Sequence, residues 1–594
     1  LKINNNRILI ASLLIFAALY GIFQPAAKVL CQDVLVYYNA KQPGGISYIS
    51  DRPTSKANNL INKGFIYSSE NVKKVEFTPI SAFMFEYEMK IYSKNAVSHQ
   101  ELIKIQEEYS NYLREKDPKI YRIAFNKTYD YTIVQAQINN AFFKIVAMLL
   151  LLICFYFLKK QRSTYSNKQA VDKRLNYILL FFAAALSMVF KFIIPLAAFL
   201  LTLGLLFRYC RKYEKESTFL IKLFSAATII RLLAVGAMYI FNNIRYGSSL
   251  SYLQPDEMFY YHTSDKIAAI LASFKWPNLS GIAEVKQYGY NLFGGIVKLL
   301  NGEHYFALRF INVIASAIFV ILIYDFATRF IKSRKIARLS AVLMCIMPTQ
   351  IMFSVFALRD VFISMLIFLM ISSLFRYYNE GENKITTVML FIICGIVLWF
   401  FRNYAVALVV ISSLFYMILK LGERKNIKLY YLLPIMAVMF GAALILLSKV
   451  YNISFINMII DYFKREGVVK YLAGLMLSIT NLDFLISAGV SIYSNPASLI
   501  LRFFYPETLF LIITLPLFVI GVRKLLAENT CEMLSILLLI IGFITIYKIV
   551  YGGWFLRTQL QVFPYQYIII SIGFMQVVSQ SSEKVRNLMN KYIF

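Results

Sequence analysis

The sequence predicts an all-α polytopic membrane protein of about 14 transmembrane helices, with an extracytoplasmic α+β domain near its N-terminus. Three observations predict it: composition, the length of the apolar runs, and the placement of Lys and Arg between them. Of 594 residues, 59% are hydrophobic and only 16% are charged, with a mean hydropathy of +0.60. A soluble chain carries roughly 25% charged residues. The apolar excess sits in runs near the ~20 residues that cross a bilayer as a helix. Hydrocarbon offers the backbone no hydrogen-bond partner, so each run must be helical there.

The candidate spans are 8–29, 142–158, 176–190, 192–208, 219–241, 306–328, 339–357, 360–376, 386–401, 403–420, 430–450, 505–522, 533–551 and 560–578. The first follows Lys2 and Arg7 and reads as a signal anchor rather than a cleaved peptide. The pair flanking Lys191 is short and reads as a tight hairpin or as one long helix.

Orientation follows from the basic loops. The formal charge is +30 and the isoelectric point about 9.6. Nucleic-acid binding is one source of such a balance. Here the cations cluster between apolar runs, as the positive-inside rule requires, so no nucleic-acid partner is expected. Segment 159–174 carries Lys159, Lys160, Arg162, Lys168, Lys173 and Arg174, and segment 329–338 carries Arg329, Lys332, Arg334, Lys335 and Arg338. Segments 208–215 and 420–428 are also basic. With a hairpin at 176–208, strict alternation puts all four segments on the cytoplasmic side, which favours the larger helix count.

Five regions result: an anchor helix at 1–29, the extracytoplasmic domain at 30–141, additional helices at 142–218, a transmembrane module at 219–578 and a cytoplasmic tail at 579–594. The 30–141 domain has strand-like stretches at Val34–Tyr38 and Lys74–Phe77 and a helix at Ser98–Glu115. Outside the cytoplasm lie the loop 242–305, short turns near 357–360, 401–403 and 551–558, and the segment 451–504. That last segment is apolar enough for re-entrant or interfacial helices. The six cysteines are scattered and show neither CxxC nor metal-ligand spacing.

The sharpest local signal is Gln254-Pro255-Asp256-Glu257-Met258-Phe259-Tyr260-Tyr261-His262. Paired carboxylates near a membrane surface repel one another and resist burial. They suit a general base or a divalent cation. The plainer reading is a solvated turn with Asp256 capping a helix that starts near Met258. A second signal is Arg359-Asp360, a charged pair between two apolar runs. The plainer reading is Asp360 as an N-cap and Arg359 snorkelling to the headgroups. A third is Gly552-Gly553-Trp554-Phe555-Leu556-Arg557, where the guanidinium suits a phosphate and an interfacial Trp/Arg belt is the alternative. Arg402-Asn403 and the Arg502/Glu507 pair flanking Tyr505-Pro506 are weaker. The predicted topology gathers Asp256, Glu257, Arg359, Asp360, Arg402 and Arg557 on one membrane face.

In order, Pro255-Asp256-Glu257 followed by Tyr260-Tyr261, Ala307–Asn312, Pro348, Arg359-Asp360 and Arg557-x-Gln559-x-Gln561-Val-Phe-Pro564 resemble the GT-C superfamily of membrane glycosyltransferases. That group includes protein O-mannosyltransferases and aminoarabinose-lipid transferases. The resemblance covers roughly 219–578, and Gln559 stands where the family pattern has a second Arg. It implies a GT-C-like bundle that moves a sugar from a polyprenyl-phosphate donor to a glycan, lipid or protein acceptor by inverting transfer. It further implies Asp256, Glu257 and Asp360 as catalytic residues, with Asp256 and Asp360 holding Mg or Mn if a metal is used. Arg359, Arg402 and Arg557 would bind the donor phosphate, and Tyr260, His262 and Trp554 would touch substrate. The expected setting is a bacterial inner or plasma membrane with the site on the extracytoplasmic face. Membrane lipids are the other expected partner.

Two rival readings make other demands. A polysaccharide polymerase or ligase would lean on arginines rather than on the Asp256–Glu257 pair. A transporter would carry charges within its spans and broken helices at mid-membrane. Few such features are evident, Lys191 and Asp325 at most, both near predicted ends, and no inverted repeat is evident.

Overall fold

The computed structural model describes residues 30–41, 47–48, 72–79, 86–93, 99–116, 120–128, 193–213, 216–246, 255–272, 274–279, 287–301, 306–379, 384–425, 455–479, 502–551 and 556–581, with parts of 67–71 and 146–158 and isolated positions beyond 425. The expected spans 8–29 and 176–190, all of 430–450 but isolated positions, and the tail beyond 581 lie outside the described residues.

In the N-terminal part, strands β1 (Leu30–Lys41), β2 (Ser47–Tyr48), β3 (Val72–Pro79), β4 (Glu86–Ser93) and β5 (Ile120–Thr128) pair antiparallel. The order is β2-β1-β4-β3, with β5 also on β1. Val34–Tyr38 lies in β1 and Lys74–Phe77 in β3. Helix α1 (His99–Lys116) packs on β5 and buries Ile105 and Tyr109, one helical turn apart. Ser69 Oγ donates to Glu101 at 2.5 Å and Asn71 Nδ2 at 3.1 Å, tying the start of α1 to the turn before β3.

The rest is helical: α2 (Ile193–Lys212), α3 (Ser217–Tyr246), α4 (Pro255–Ala272), α5 (Tyr288–Asn301), α6 (Phe306–Phe330), α7 (Arg334–Ile346), α8 (Pro348–Val355), α9 (Asp360–Asn379), α10 (Lys384–Arg424), α11 (Phe455–Glu466), α12 (Val468–Ile479), α13 (Tyr505–Ile513), α14 (Leu515–Glu528), α15 (Thr530–Tyr551), α16 (Leu556–Gln559) and α17 (Phe563–Gln580). Among the described residues, six helices are long and apolar enough to cross a membrane, or eight if each of two bent pairs is one span. The chain is thus an integral membrane protein. The central helix is α6, whose most apolar stretch is 89% buried, against 22% for α10. On α10, Ile385, Met389, Ile392, Ile393 and Ile396 remain exposed on the protein surface. Such an apolar stripe belongs against lipid.

Helix α10 runs for 41 residues, with non-helical dihedrals at Arg402 (φ −163°, ψ 87°). A straight helix of that length would reach about 60 Å. Its two ends instead lie against neighbouring rings. Lys384 Nζ is 5.8 Å from the Tyr377 ring centroid, and Arg424 Cζ is 5.6 Å from that of Tyr378. The run therefore doubles back at Arg402 as two crossings, at the turn expected for 401–403.

Two spans are broken at prolines. α7 and α8 meet at 51°, and α13 and α14 at 55°. Pro348 lacks the N–H that would bond the Met344 carbonyl. That carbonyl accepts from Arg231 Nη2 at 3.2 Å, and the Cys345 carbonyl accepts from Arg231 Nη1 at 3.2 Å. Across the break, the Thr349 N–H donates to Glu507 Oε2 at 2.6 Å, and the Tyr567 hydroxyl donates to Oε1 at 2.5 Å. A cation closes the carbonyl end and an anion the amide end, as the helix dipoles favour. Arg231 is a fully buried intraspan charge that the sequence reading passed over. At the α7–α8 break, the backbone groups of Met344, Cys345 and Thr349 are thus bonded by side chains from elsewhere in the chain.

The segment 451–504 contains α11 and α12, which pack against α15. Helices α14 and α17 approach backbone to backbone. A Cβ on Gly521 would collide with the Ile569 carbonyl, and one on Gly573 with that of Leu517.

Candidate active site

Five stretches far apart in sequence meet at one end of the bundle: the first turn of α4, the segment before α9, the Arg402 turn, the end of α15 and α16. Helix α4 begins at Pro255, where the missing N–H costs nothing. Asp256 and Glu257 therefore fall in its first turn, not at its cap. Successive residues point about 100° apart on a helix, so the two carboxylates diverge.

Glu257 turns inward. Arg309 on α6 meets it with two parallel hydrogen bonds, Nε to Oε1 and Nη2 to Oε2, both 2.7 Å. Both side chains are essentially inaccessible to solvent. Oε1 also accepts the Ala357 N–H at 2.7 Å. One turn along α6, Asn312 Nδ2 donates to the Phe356 and Leu358 carbonyls, each at 2.7 Å. Glu257, Arg309 and Asn312 thus hold residues 356–358, which set Arg359 and Asp360 in place. Arg309 and Asn312 were quoted in the sequence motif without a site role. Two polar side chains inside an apolar helix are the signal that marks them.

Asp360 opens α9 with a fully buried side chain. Its Oδ1 receives Arg402 Nη2 at 3.0 Å and its Oδ2 receives Arg557 Nε at 2.6 Å. Arg557 also reaches Asp256 through Nη1, so one guanidinium bridges carboxylates 104 positions apart. Asp256 is the accessible member, with 49% of its side chain exposed, against 19% for Arg557 and none for Asp360. Arg557 Nη2 is buried and has no hydrogen-bond partner among the described residues. Burial acts to lower the Arg557 pKa, but Asp360 and Asp256 outweigh it and raise the group above its ordinary value. It carries its charge at any relevant pH.

Arg402 also donates from Nη1 to the Tyr547 hydroxyl at 2.7 Å, and Tyr547 donates to Gln561 at 3.1 Å. Tyr547 and Gln561 had no role in the sequence reading. Arg359 donates from Nη1 to the Phe401 carbonyl at 2.7 Å, and its guanidinium lies 5.8 Å above the Tyr260 ring. Tyr260 is fully buried against Tyr290, with ring centroids 4.9 Å apart. Burial pushes the Tyr260 phenol up, so it stays protonated. His262 lies in α4, and Trp554 lies outside the described residues.

Glu257 is neutralised by Arg309, so the remaining charges are Asp256 and Asp360 against Arg359, Arg402 and Arg557. The cluster has one positive charge in excess, which suits an incoming anion. It does not suit a divalent cation as arranged, because the Arg557 guanidinium lies between the two carboxylates. No group of three or more His, Cys, Asp or Glu side chains able to hold a metal occurs among the described residues.

Residues 289–451 match the family model for dolichyl-phosphate-mannose-protein mannosyltransferases. The match supports a GT-C membrane glycosyltransferase. Such enzymes use lipid-linked sugar donors. No curated protein and no solved structure matches the chain. The matched stretch holds Arg309, Arg359, Asp360 and Arg402, while Asp256 and Arg557 come from outside it.

Proposed function

We propose that the chain transfers a sugar from a polyprenyl-phosphate donor to an acceptor hydroxyl at the end of the bundle that carries Asp256, Asp360 and Arg557. The observation that carries this reading is the Arg557 bridge between one accessible and one buried carboxylate. The donor's tail stays in lipid while its phosphate sits at the interface. There the Arg557 Nη2 donor receives a phosphate oxygen, with Arg402 and Arg359 supplying positive potential from behind. Moving onto the phosphate loosens Arg557 from Asp256 and leaves that carboxylate free as a base.

The acceptor oxygen attacks the anomeric carbon as its proton passes to Asp256. The carbon–oxygen bond to phosphate breaks, and its electron pair leaves with the polyprenyl phosphate. Configuration inverts. Asp360 is the fixed anchor that orients Arg557 and Arg402, and Glu257 positions the segment before it. In this reading Arg557 supplies the charge that a metal would otherwise provide, so chelators leave transfer unchanged.

The basic segment 329–338 at the far end argues for an extracytoplasmic site. The 30–141 region is read as an extracytoplasmic α+β domain. Bacterial surface-glycan or glycolipid assembly is the setting we favour.

The test is donor choice. Membranes containing the chain receive radiolabelled sugar on polyprenyl monophosphate, on polyprenyl pyrophosphate or on a nucleotide, each with and without EDTA. Transfer from a polyprenyl-linked sugar, insensitive to EDTA, is expected. Transfer from the nucleotide sugar alone, or abolished by EDTA, would contradict the reading.

A further inference from the structure

The opposite end of the bundle carries a second polar site. Helix α9 separates Asp360 from Arg376 by more than four helical turns, about 24 Å. Beside Arg376 lies a cavity of about 350 Å³ between α6, α9, α10 and the start of α15. Four cations line it: Arg329, Lys332, Arg376 and Lys420. Glu532 is the one carboxylate in the lining. Glu532 is already engaged. Its Oε1 accepts from Lys420 at 2.8 Å and from Tyr416 and Asn379 at 3.0 Å each. Asp325 sits behind the lining and is shared between Arg329 at 2.9 Å and Arg376 at 2.7 Å. Two guanidiniums thus divide one carboxylate, and Arg376 Nε is buried without a hydrogen-bond partner among the described residues.

Lys332 is exposed on the rim with a left-handed backbone (φ 54°). Phe330 and Phe375 form an apolar wall, their ring centroids 5.5 Å apart.

The geometry points to this cavity as a binding site for the phosphate head of an anionic phospholipid in the leaflet opposite the sugar-transfer end. The cations take the phosphate oxygens. The aromatic wall takes the glycerol and the first methylenes, which a free phosphate ion does not have. Surplus basic charge between helix ends is what such headgroups seek. The site shares no residue with the Asp256–Asp360 cluster, so it stands whether or not the proposed transfer reaction does.

The full chain is purified in detergent and exchanged into nanodiscs of phosphatidylcholine containing 20% phosphatidylglycerol. Lipid retained on the protein is then counted by native mass spectrometry. Preferential retention of phosphatidylglycerol is expected, weakened roughly five- to tenfold in Lys332→Gln and more in Arg376→Gln. Lys332 is at the rim and exposed, so its variant should fold even if Arg376→Gln does not. Equal retention of the two lipids, or unchanged preference in Lys332→Gln, would overturn the inference. Inorganic phosphate is the soluble control, and displacement of the bound lipid by it at equal concentration would overturn the lipid assignment.

Discussion

Arg557 lies between two carboxylates that do different work. Asp360 has no access to solvent and two guanidiniums to satisfy it, whereas Asp256 is half exposed and shares only Arg557. A lysine at 557 keeps the charge but not the planar fork that reaches both acids and a third acceptor. Arg557→Lys should therefore lower kcat about 100-fold or more, near the loss of a transition-state donor, with less change in KM. Near-normal turnover in steady-state assays of Arg557→Lys would show that position 557 supplies charge alone. The Glu257–Arg309 pair is a stability matter first. Removing one partner strands a buried charge, at about 3–5 kcal/mol. Glu257→Met and Arg309→Met should each lower the detergent melting temperature, and the Glu257→Met/Arg309→Met double variant should recover part of the loss. Additive losses in the double variant would mean that the pair is not coupled. From sequence, Glu257 looked equivalent to its neighbour. Only the helix start at Pro255, rather than near Met258, separates their directions, and a boundary shift of three residues is below what patterning resolves.

At the scale of elements, most helices were readable because a 3.6-residue period and a span-length apolar run are local properties. The expected 306–328 and the observed Phe306–Phe330 differ little. The division at 401–403 was also readable, because a largely apolar stretch of 41 residues, interrupted by Arg402-Asn403, exceeds one crossing. The breaks at Pro348 and Thr514 were not, because their stability comes from elsewhere in the chain. Arg231 and Glu507 supply it for the first break from positions 114 and 158 residues away. Arg231→Met should destabilise the bundle by about 1–3 kcal/mol for each carbonyl left unpaired. Pro348→Ala, which restores an N–H opposite Met344, should recover part of that loss. Thermal melts of the two single variants and the double variant decide it, and no recovery would refute this account of the break.

For the whole molecule, the topology read from the basic loops gathered the charged residues on one face, and the structure links four of the six, Asp256, Asp360, Arg402 and Arg557, by ion pairs, with Arg359 held beside them on the Phe401 carbonyl and over the Tyr260 ring. It assigns Glu257 to the scaffold beneath that network. What sequence could not supply was the accessibility that separates Asp256 from Asp360, since burial depends on every neighbouring helix at once. The same global packing places four cations around a cavity at the other end. The two ends should lie on opposite sides of the membrane. In intact cells a membrane-impermeant maleimide should label a cysteine placed at Phe259, beside the transfer site, but not Lys332→Cys. Labelling of both from outside would break the topology.

The most direct measurement of the central claim is sugar transfer from polyprenyl-linked donors by Asp256→Asn and Asp360→Asn at matched membrane expression. The account predicts a loss of about 100-fold or more in each, with Asp256→Asn retaining wild-type thermal stability and Asp360→Asn losing some. Wild-type transfer by Asp256→Asn would contradict it, and would shift the chemistry to an arginine-based polymerase.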